Sequence, residues 1–175
     1  YTAVIALPRD MLIAGYGAKE INTLRLWDAM SPNSLDMYLF SEGAYVKSLE
    51  QRTMAEVITK VLYPADDHVE GKLLRLKQQY FFISATAQDI VRKHIRTWGD
   101  IRSFSKHHII QINDTHPTMI IPELMRIFMD GYELGWDEAW ELVKNSVAYT
   151  NHTVMSEALE TWNRDLFKMR LPRIY

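Results

Sequence analysis

The segment QINDTHPTMIIPELMRIF, residues 111–128, is the most informative part of the sequence about the fold. It starts as a short apolar run typical of a strand and ends with apolar side chains at helical spacing, and four polar residues lie between the two. AYTNHTVMSEALETW, residues 148–162, repeats this order, with a polar loop between a predicted strand end and a predicted helix over 156–162. Two strand–loop–helix units in succession predict an α/β layer with parallel strands.

The bulk composition excludes several classes of protein. The chain has 175 residues, 47% hydrophobic and 24% charged, which is enough for a sizeable core. A net charge of -2 gives no electrostatic reason to expect nucleic acid. There is no cysteine, which excludes disulfides and thiolate metal sites and weakly supports a reducing compartment, so we expect a cytoplasmic location. No apolar run reaches the roughly 18 residues of a membrane-spanning helix, so we expect no membrane partner.

The N-terminal half is predicted to begin with strands. Apolar runs cover residues 2–7 and 11–14 with Pro8 between them, and INTLRLWDA alternates with period two. A long helix is predicted over 44–62, with a polar middle that is usual for a helix meeting solvent or a partner chain. YPADDHVEG, residues 63–71, is a loop by composition. Because the chain starts without methionine and directly in a strand-like run, we interpret it as a piece of something longer.

The C-terminal half carries the clearest helical pattern, over residues 72–98. A strand is predicted over KHHIIQIN, followed by a helix to about Gly131, a helix over 136–145, another strand and a last helix. His107 and His108 would point to opposite sides of the first of these strands, so they would not share a metal, and we interpret them as polar side chains that face solvent.

The two polar loops are the candidate site. In open α/β sheets, ligands bind beyond the carboxyl ends of the strands, where loops lead into helices. Asn, Asp, Thr and His side chains supply the mixture of donors and acceptors that suits a neutral polyhydroxyl ligand. Other interpretations stay open: Asp114 and Thr115 are ordinary capping and turn residues, and His152 alone is more often structural. A metal held by Asp114, His116 and His152 has no supporting spacing, so we predict no metal site.

QINDTHPTMIIPELMRIFMD and AYTNHTVMSEALETW together resemble the α-glucan phosphorylases, which act on glycogen, starch or maltodextrin. ALPRDMLIAGY, INTLRLWDA, TKVLYPADDHVEGKLLRLKQQYFFISATAQDIVR and LFKMRLPR follow in family order, so the resemblance covers nearly the whole chain. It implies that residues 1–175 are a segment of the N-terminal lobe of a two-lobe enzyme. That segment would be a partial Rossmann-like (GT-B type) lobe, with parallel strands flanked by long helices and a projecting tower-like helix.

Within this segment the resemblance implies four parts: a strand-rich part over 1–43, the tower-like helix over 44–62, a gate-like loop over 63–71 and an α/β part over 72–175. The implied reaction is reversible phosphorolysis of an α-1,4-glucan by orthophosphate to give α-D-glucose 1-phosphate. The implied cofactor is pyridoxal 5′-phosphate in the intact enzyme, with its lysine in the other lobe and not in this segment. A non-catalytic carbohydrate-binding or scaffolding module of phosphorylase-like fold is the alternative.

The resemblance also implies roles for single residues. His152 matches the catalytic-site histidine whose side chain bonds the glucose 6-hydroxyl and whose backbone carbonyl lies near the anomeric carbon. Further substrate contacts or pocket positions are implied in the gate and in both loops, at Asp66, Asp67, Asp114, His116, Ala158 and Glu160, the last two on the predicted helix. Asp67 departs from the asparagine often found in the family, and a carboxylate there accepts hydrogen bonds but does not donate them.

The resemblance implies a homodimer in which the tower-like helix packs against its counterpart, with contacts from Tyr45, Leu49 and Arg52. Regulated family members bind an AMP phosphate through an arginine matching Arg25 and an arginine pair, which here reads Arg92–Lys93. We therefore expect no control by AMP and interpret Arg92 as a solvated charge on a helix.

Overall fold

The computed structural model describes residues 3–33, 35–156 and 159–175. The chain divides into two units, residues 1–81 and residues 82–175, which are described in turn. Helices and both parallel and antiparallel strand pairs are present, so the predicted mixed α/β class is confirmed.

The first unit begins with an antiparallel hairpin of β1 (Ile5–Ala14) and β2 (Ile21–Met30). The apolar runs expected as two pieces form one strand, because Pro8 lies within β1 opposite Trp27. Among the described residues β1 pairs with β2 alone, and a strand with one neighbour accommodates a proline at a position where the ladder needs no N–H.

The expectation of one continuous helix over 44–62 is wrong. The structure has α1 (Met37–Ser41), α2 (Tyr45–Ser48) and α3 (Glu50–Lys60), and the chain breaks between α2 and α3 at Leu49. The Ser48 hydroxyl donates to the Tyr45 carbonyl at 2.6 Å, a local bond that competes with regular helix hydrogen bonding.

Helix α3 is also not a projecting element within its unit. Its buried residues, Ala55 and Ile58, lie on the face that packs against β2, whose own Trp27 and Ala29 are buried. The Ala29 N–H donates to the Thr59 hydroxyl at 3.1 Å, which ties the two elements together. Burial of this apolar face explains why α3 lies on the hairpin.

The long helix α4 (Val69–Trp98) begins three residues before the expected start, so residues 69–71 of the predicted loop are helical. The preceding segment folds back onto its first turns. The Asp66 carboxylate pairs with Arg75 at 2.5 Å, and the Gly71 N–H donates to His68 Nδ1 at 2.8 Å. Within the described ranges, no helix combines the length and apolar character needed to span a bilayer.

In the second unit a 3₁₀ turn and α5 (Phe104–His107) lead to β3 (Ile110–Asn113), and α6 (Ile120–Arg126) follows. A π-helical turn then extends α6 as far as Gly131, where the sequence predicted the helix to end. After it come α7 (Trp136–Lys144) and β4 (Val147–Thr150). β3 and β4 pair in parallel, as predicted.

The core of the second unit consists of apolar side chains from these elements: Ile101, Phe104, Ile112, Ile120, Leu124, Phe128, Leu134, Ala139 and Val143. The carboxylate of Glu123 is enclosed with them. The Glu123 carboxylate is 0% exposed, accepts from the Ser84 hydroxyl at 2.6 Å and pairs with Arg126 at 2.7 Å. These partners compensate the burial of its charge and attach α6 to α4.

The predicted strand over KHHIIQIN is shorter than expected. His107 ends α5 and His108 follows it, so these two histidines do not lie in a strand, and β3 starts only at Ile110. The interpretation of both as polar side chains that face solvent is therefore wrong for His108, whose ring contacts a buried histidine, His94.

The helix predicted over 156–162 is also wrong for residues 159–162. Leu159 to Trp162 are not helical, and α8 (Arg164–Arg170) begins after Asn163, whose side chain accepts from the Leu166 N–H at 3.0 Å. The Glu160 N–H donates to the Thr115 hydroxyl at 3.0 Å, a contact with the other polar loop that replaces a helical bond. Glu160 is therefore on an irregular segment, and Ala158 lies outside the described residues.

Candidate functional site

The two polar loops leave the same edge of the parallel strand pair. Asn113, the last residue of β3, is opposite Thr150, the last residue of β4. The Asp114 N–H donates to the Thr150 carbonyl at 2.8 Å and extends the pairing by one residue. Parallel strands end at one edge, so the convergence of the loops follows from the topology.

Asp114 turns the chain away from the strand. Its φ is +65°, in the left-handed region that aspartate and asparagine tolerate better than most residues. Its carboxylate accepts from the Thr115 N–H at 2.8 Å, and the Thr118 hydroxyl donates to the Thr115 carbonyl at 2.7 Å. Asp114 and Thr115 thus make turn bonds and do not cap α6, whose N-cap is Met119.

The loop after β4 is held by its own side chains. The Asn151 amide donates to the Thr153 carbonyl at 2.5 Å and accepts from the Thr153 N–H at 3.2 Å. The Met155 N–H donates to the Thr153 hydroxyl at 3.1 Å. His152 stands exposed on this bonded turn, and its Nε2 bonds the Oδ1 of Asn113 at the end of β3.

The second loop also reaches the first through Glu160. Its N–H bonds Thr115, and its carboxylate, whose side chain is 8% exposed, lies 4.0 Å from Nε2 of His116. The structure therefore brings together four of the residues singled out from the sequence: Asp114, His116, His152 and Glu160. Two carboxylates, two imidazoles and an amide in one region can donate to and accept from a ligand rich in hydroxyl groups.

Other residues singled out from the sequence lie in the first unit. Asp66 is engaged by Arg75 in the ion pair described above, and Asp67 is exposed on the same loop. Tyr45, Leu49 and Arg52, named for a dimer contact, are exposed around the break between α2 and α3.

The arginines considered for AMP are engaged by carboxylates of their own units. Arg25 pairs with Asp10 across the hairpin at 2.5 Å. Arg92 pairs with Asp89 at 2.9 Å, and Lys93 pairs with the same carboxylate at 2.7 Å.

A histidine pair escaped the sequence analysis. His94, 1% exposed, places Nδ1 3.0 Å from Nε2 of His108 and Nε2 2.9 Å from the Asp100 carbonyl. Because a carbonyl only accepts, His94 carries its hydrogen on Nε2 and accepts from His108 through Nδ1. Burial lowers the pKa of His108, and the neighbouring His94 and His107 lower that pKa further.

A signal for this pair was present in the sequence. Ala87, Val91 and His94 follow one another at spacings of four and three residues, which puts His94 on the buried stripe of α4. A histidine on an apolar stripe predicts a partner in the interior, and only the fold identifies that partner as His108.

The sequence model of the carbohydrate phosphorylases matches residues 1–175. The chain therefore belongs to the carbohydrate phosphorylase family. It is 48% identical to the liver form of glycogen phosphorylase from Homo sapiens, 46% identical to the brain form from Bos taurus and 45% identical to glycogen phosphorylase from Chlamydia pneumoniae. Each match covers 97% of this chain and 21% of the relative, so the chain spans about a fifth of the length of these proteins.

Proposed function

We propose that this chain is a substrate-binding segment of an α-1,4-glucan phosphorylase, within a partial Rossmann-like (GT-B type) lobe. The enzyme would transfer the terminal glucose of a glucan to orthophosphate and release α-D-glucose 1-phosphate, reversibly. The observation that carries this proposal is the meeting of two polar loops at the carboxyl ends of parallel strands, in a chain similar to glycogen phosphorylases over 97% of its length.

In this reaction the bond between the anomeric carbon and the glucan oxygen breaks, the leaving oxygen takes a proton that orthophosphate gives up, and a phosphate oxygen bonds the anomeric carbon. His152 would hold a hydroxyl of the glucose with its ring, and its backbone carbonyl would stabilise positive charge that develops at the anomeric carbon. Asp114, His116 and Glu160 would line the pocket and orient the sugar, without transferring protons.

The loops do not fit the pyridoxal phosphate that the family resemblance implies. The residues that bond within the loop cluster include the carboxylates of Asp114 and Glu160 and no lysine, whereas the cofactor needs an amine for its aldehyde and positive charge for its phosphate. We propose that the intact enzyme holds the cofactor through a lysine in another part of its chain.

The substrate contact is tested by His152→Ala in the full-length protein. Loss of one sugar hydrogen bond worth about 0.5–1.5 kcal/mol should lower kcat/KM for maltodextrin by roughly two- to twelvefold. His107→Ala, which removes an exposed histidine outside the loop cluster, is the matched control. Unchanged glucan kinetics for His152→Ala would remove this residue from the site.

The same assay separates the enzyme from the alternative of a non-catalytic module. The full-length protein should release glucose 1-phosphate from maltodextrin and glycogen when orthophosphate is present. Binding of maltodextrin without any glucose 1-phosphate would favour a carbohydrate-binding or scaffolding role. A comparison of the two glucans would also give the preferred substrate.

We propose that the loop before α4 gates the substrate site through Asp66 and Asp67.

We also propose that the intact enzyme is a cytoplasmic homodimer. Tyr45, Leu49 and Arg52 would contact the partner, in line with their exposure. Leu49→Asp should then shift the full-length protein from dimer to monomer in sedimentation velocity. Met169→Asp, an exposed apolar position on α8, is the control.

We propose that AMP does not regulate the enzyme. Arg25 and Arg92 already pair with Asp10 and Asp89, and a lysine replaces the second arginine of the pair found in regulated members. Activity of the full-length protein should not change when AMP is added, and activation by AMP would contradict this proposal.

A further inference from the structure

The contact between Asn113 and His152 has a direction. Oδ1 of the Asn113 amide faces Nε2 of the His152 ring, and an amide oxygen only accepts hydrogen bonds. Nε2 therefore carries the hydrogen in the neutral imidazole, and Nδ1 is left as an acceptor.

We propose that Asn113 is a positioning residue that fixes the tautomer of His152, so that Nδ1 accepts a hydrogen from a sugar hydroxyl. This inference rests on the proposed function, in which His152 contacts the 6-hydroxyl of glucose. The site then selects a hydroxyl group, which can donate, over a group of similar size that can only accept.

Both partners are held before any ligand binds. Asn113 ends a strand whose pairing continues through the Asp114 N–H, and Gln111, on the same strand, donates to the Thr150 hydroxyl at 2.7 Å. His152 stands on the turn closed by the bonds between Asn151 and Thr153. The ring direction is therefore set by the protein, which reduces the ordering that the ligand must impose.

A fixed tautomer of His152 distinguishes between ligands because a ligand without a donor leaves Nδ1 without a hydrogen-bond partner. A fluorine or ether oxygen opposite Nδ1 places one acceptor against another and leaves Nδ1 without a hydrogen, as a missing hydroxyl also does. An imidazole free to place its hydrogen on either nitrogen would distinguish these ligands less well.

The test uses the full-length protein in the direction of glucan synthesis, with glucose 1-phosphate and its 6-deoxy and 6-deoxy-6-fluoro analogues. In the unmodified protein both analogues should lose roughly three- to tenfold in kcat/KM, and the fluoro analogue should be no better than the deoxy analogue. Asn113→Leu should reduce the preference for the hydroxyl over the deoxy substrate towards one. Asn113→Asp, assayed at pH 8.5, should keep the preference because a carboxylate also only accepts.

Gln111→Leu is the matched control, since it removes a bond between the same two strands without touching His152. It should leave the ratio between substrates as it is. The ratio is measured within each variant, so a lower folded fraction cancels from it.

Three outcomes would overturn the proposal. If Asn113→Leu slows the reactions of the hydroxyl and deoxy substrates equally, the role of Asn113 is structural only. If the fluoro analogue reacts clearly better than the deoxy analogue, Nδ1 is a hydrogen-bond donor. Equal rates with all three substrates in the unmodified protein, together with unchanged kinetics in His152→Ala, mean that the sugar contact of the proposed function is absent too.

Nitrogen-15 shifts of the labelled His152 ring report the tautomer without reference to activity: Nδ1 should lack a hydrogen in the unmodified protein and gain partial protonation in Asn113→Leu.

Discussion

At the end of β3 a single backbone angle determines where the first loop goes. Asp114, with φ of +65°, keeps its N–H in the strand pairing while the chain turns away immediately afterwards. The turn leaves Asn113 at the edge, where its side chain meets His152. One residue in the left-handed region thus determines which side chains the first loop brings to this edge.

A close approach of backbone to backbone makes Gly71 hard to replace. A Cβ at this position would lie 1.7 Å from the Ala65 carbonyl oxygen and 2.8 Å from the His68 ring. Gly71→Ala should therefore lower the free energy of unfolding by about 1–3 kcal/mol, although alanine alone favours a helix by about 1 kcal/mol. Urea denaturation of the 175-residue protein measures the change.

Gly131→Ala is the control for this experiment, because a Cβ there meets no described atom within 4 Å. It should leave the free energy of unfolding nearly unchanged. If Gly71→Ala were as stable as Gly131→Ala, the loop before α4 would not lie against Gly71.

At the scale of elements, one hydroxyl joins α3 to the hairpin. Thr59→Val keeps the shape of the side chain but leaves the Ala29 N–H without its 3.1 Å acceptor, so we expect a loss of about 1–3 kcal/mol in unfolding free energy. Thr53→Val is matched to it, since Thr53 is exposed on the same helix and its hydroxyl donates to the Leu49 carbonyl, one turn away. Equal losses in the two variants would contradict this role of Thr59.

A second element-scale prediction concerns pH. The pKa of His108 is lowered in the folded protein by burial and by His94 and His107, from an ordinary value of 6.5. Below pH 6.5 the unfolded chain binds the proton more readily than the folded one, so the contribution of His108 is present above that pH and is lost as the pH falls towards the lower, folded pKa. The free energy of unfolding should be smaller at pH 5.5 than at pH 7.5.

The matching measurement is urea denaturation at these two pH values. His108→Gln should reduce the difference between them. An unfolding free energy that does not depend on pH in the unmodified protein would show that His108 titrates alike in both states.

For the whole molecule, we predict that the 175 residues alone catalyse no phosphorolysis and bind no pyridoxal phosphate. The chain spans about a fifth of its relatives, and its loop cluster lacks the amine and the positive charge that the cofactor requires. Glucose 1-phosphate release from maltodextrin by the isolated chain, at any rate above buffer, would refute this prediction.

The class of fold and the edge at which the loops meet could be predicted from residue patterns alone. The strand and helix patterns around 111–128 and 148–162 reflect local backbone preference and the side of each strand or helix that is buried. Both properties depend on residues that are close together in the sequence. The parallel pair and the convergence of Asp114 with His152 follow from that pattern.

The partners that distant residues find in place of local ones are visible only in the folded chain. The Glu160 N–H bonds Thr115 in place of a helical carbonyl, and α3 lies on the hairpin because its buried face finds β2. His94 likewise pairs with a residue 14 positions away that the sequence pattern assigned to a strand. Contacts between residues far apart in the sequence depend on how the whole chain folds. Local periodicity carries no information about which of these residues come together.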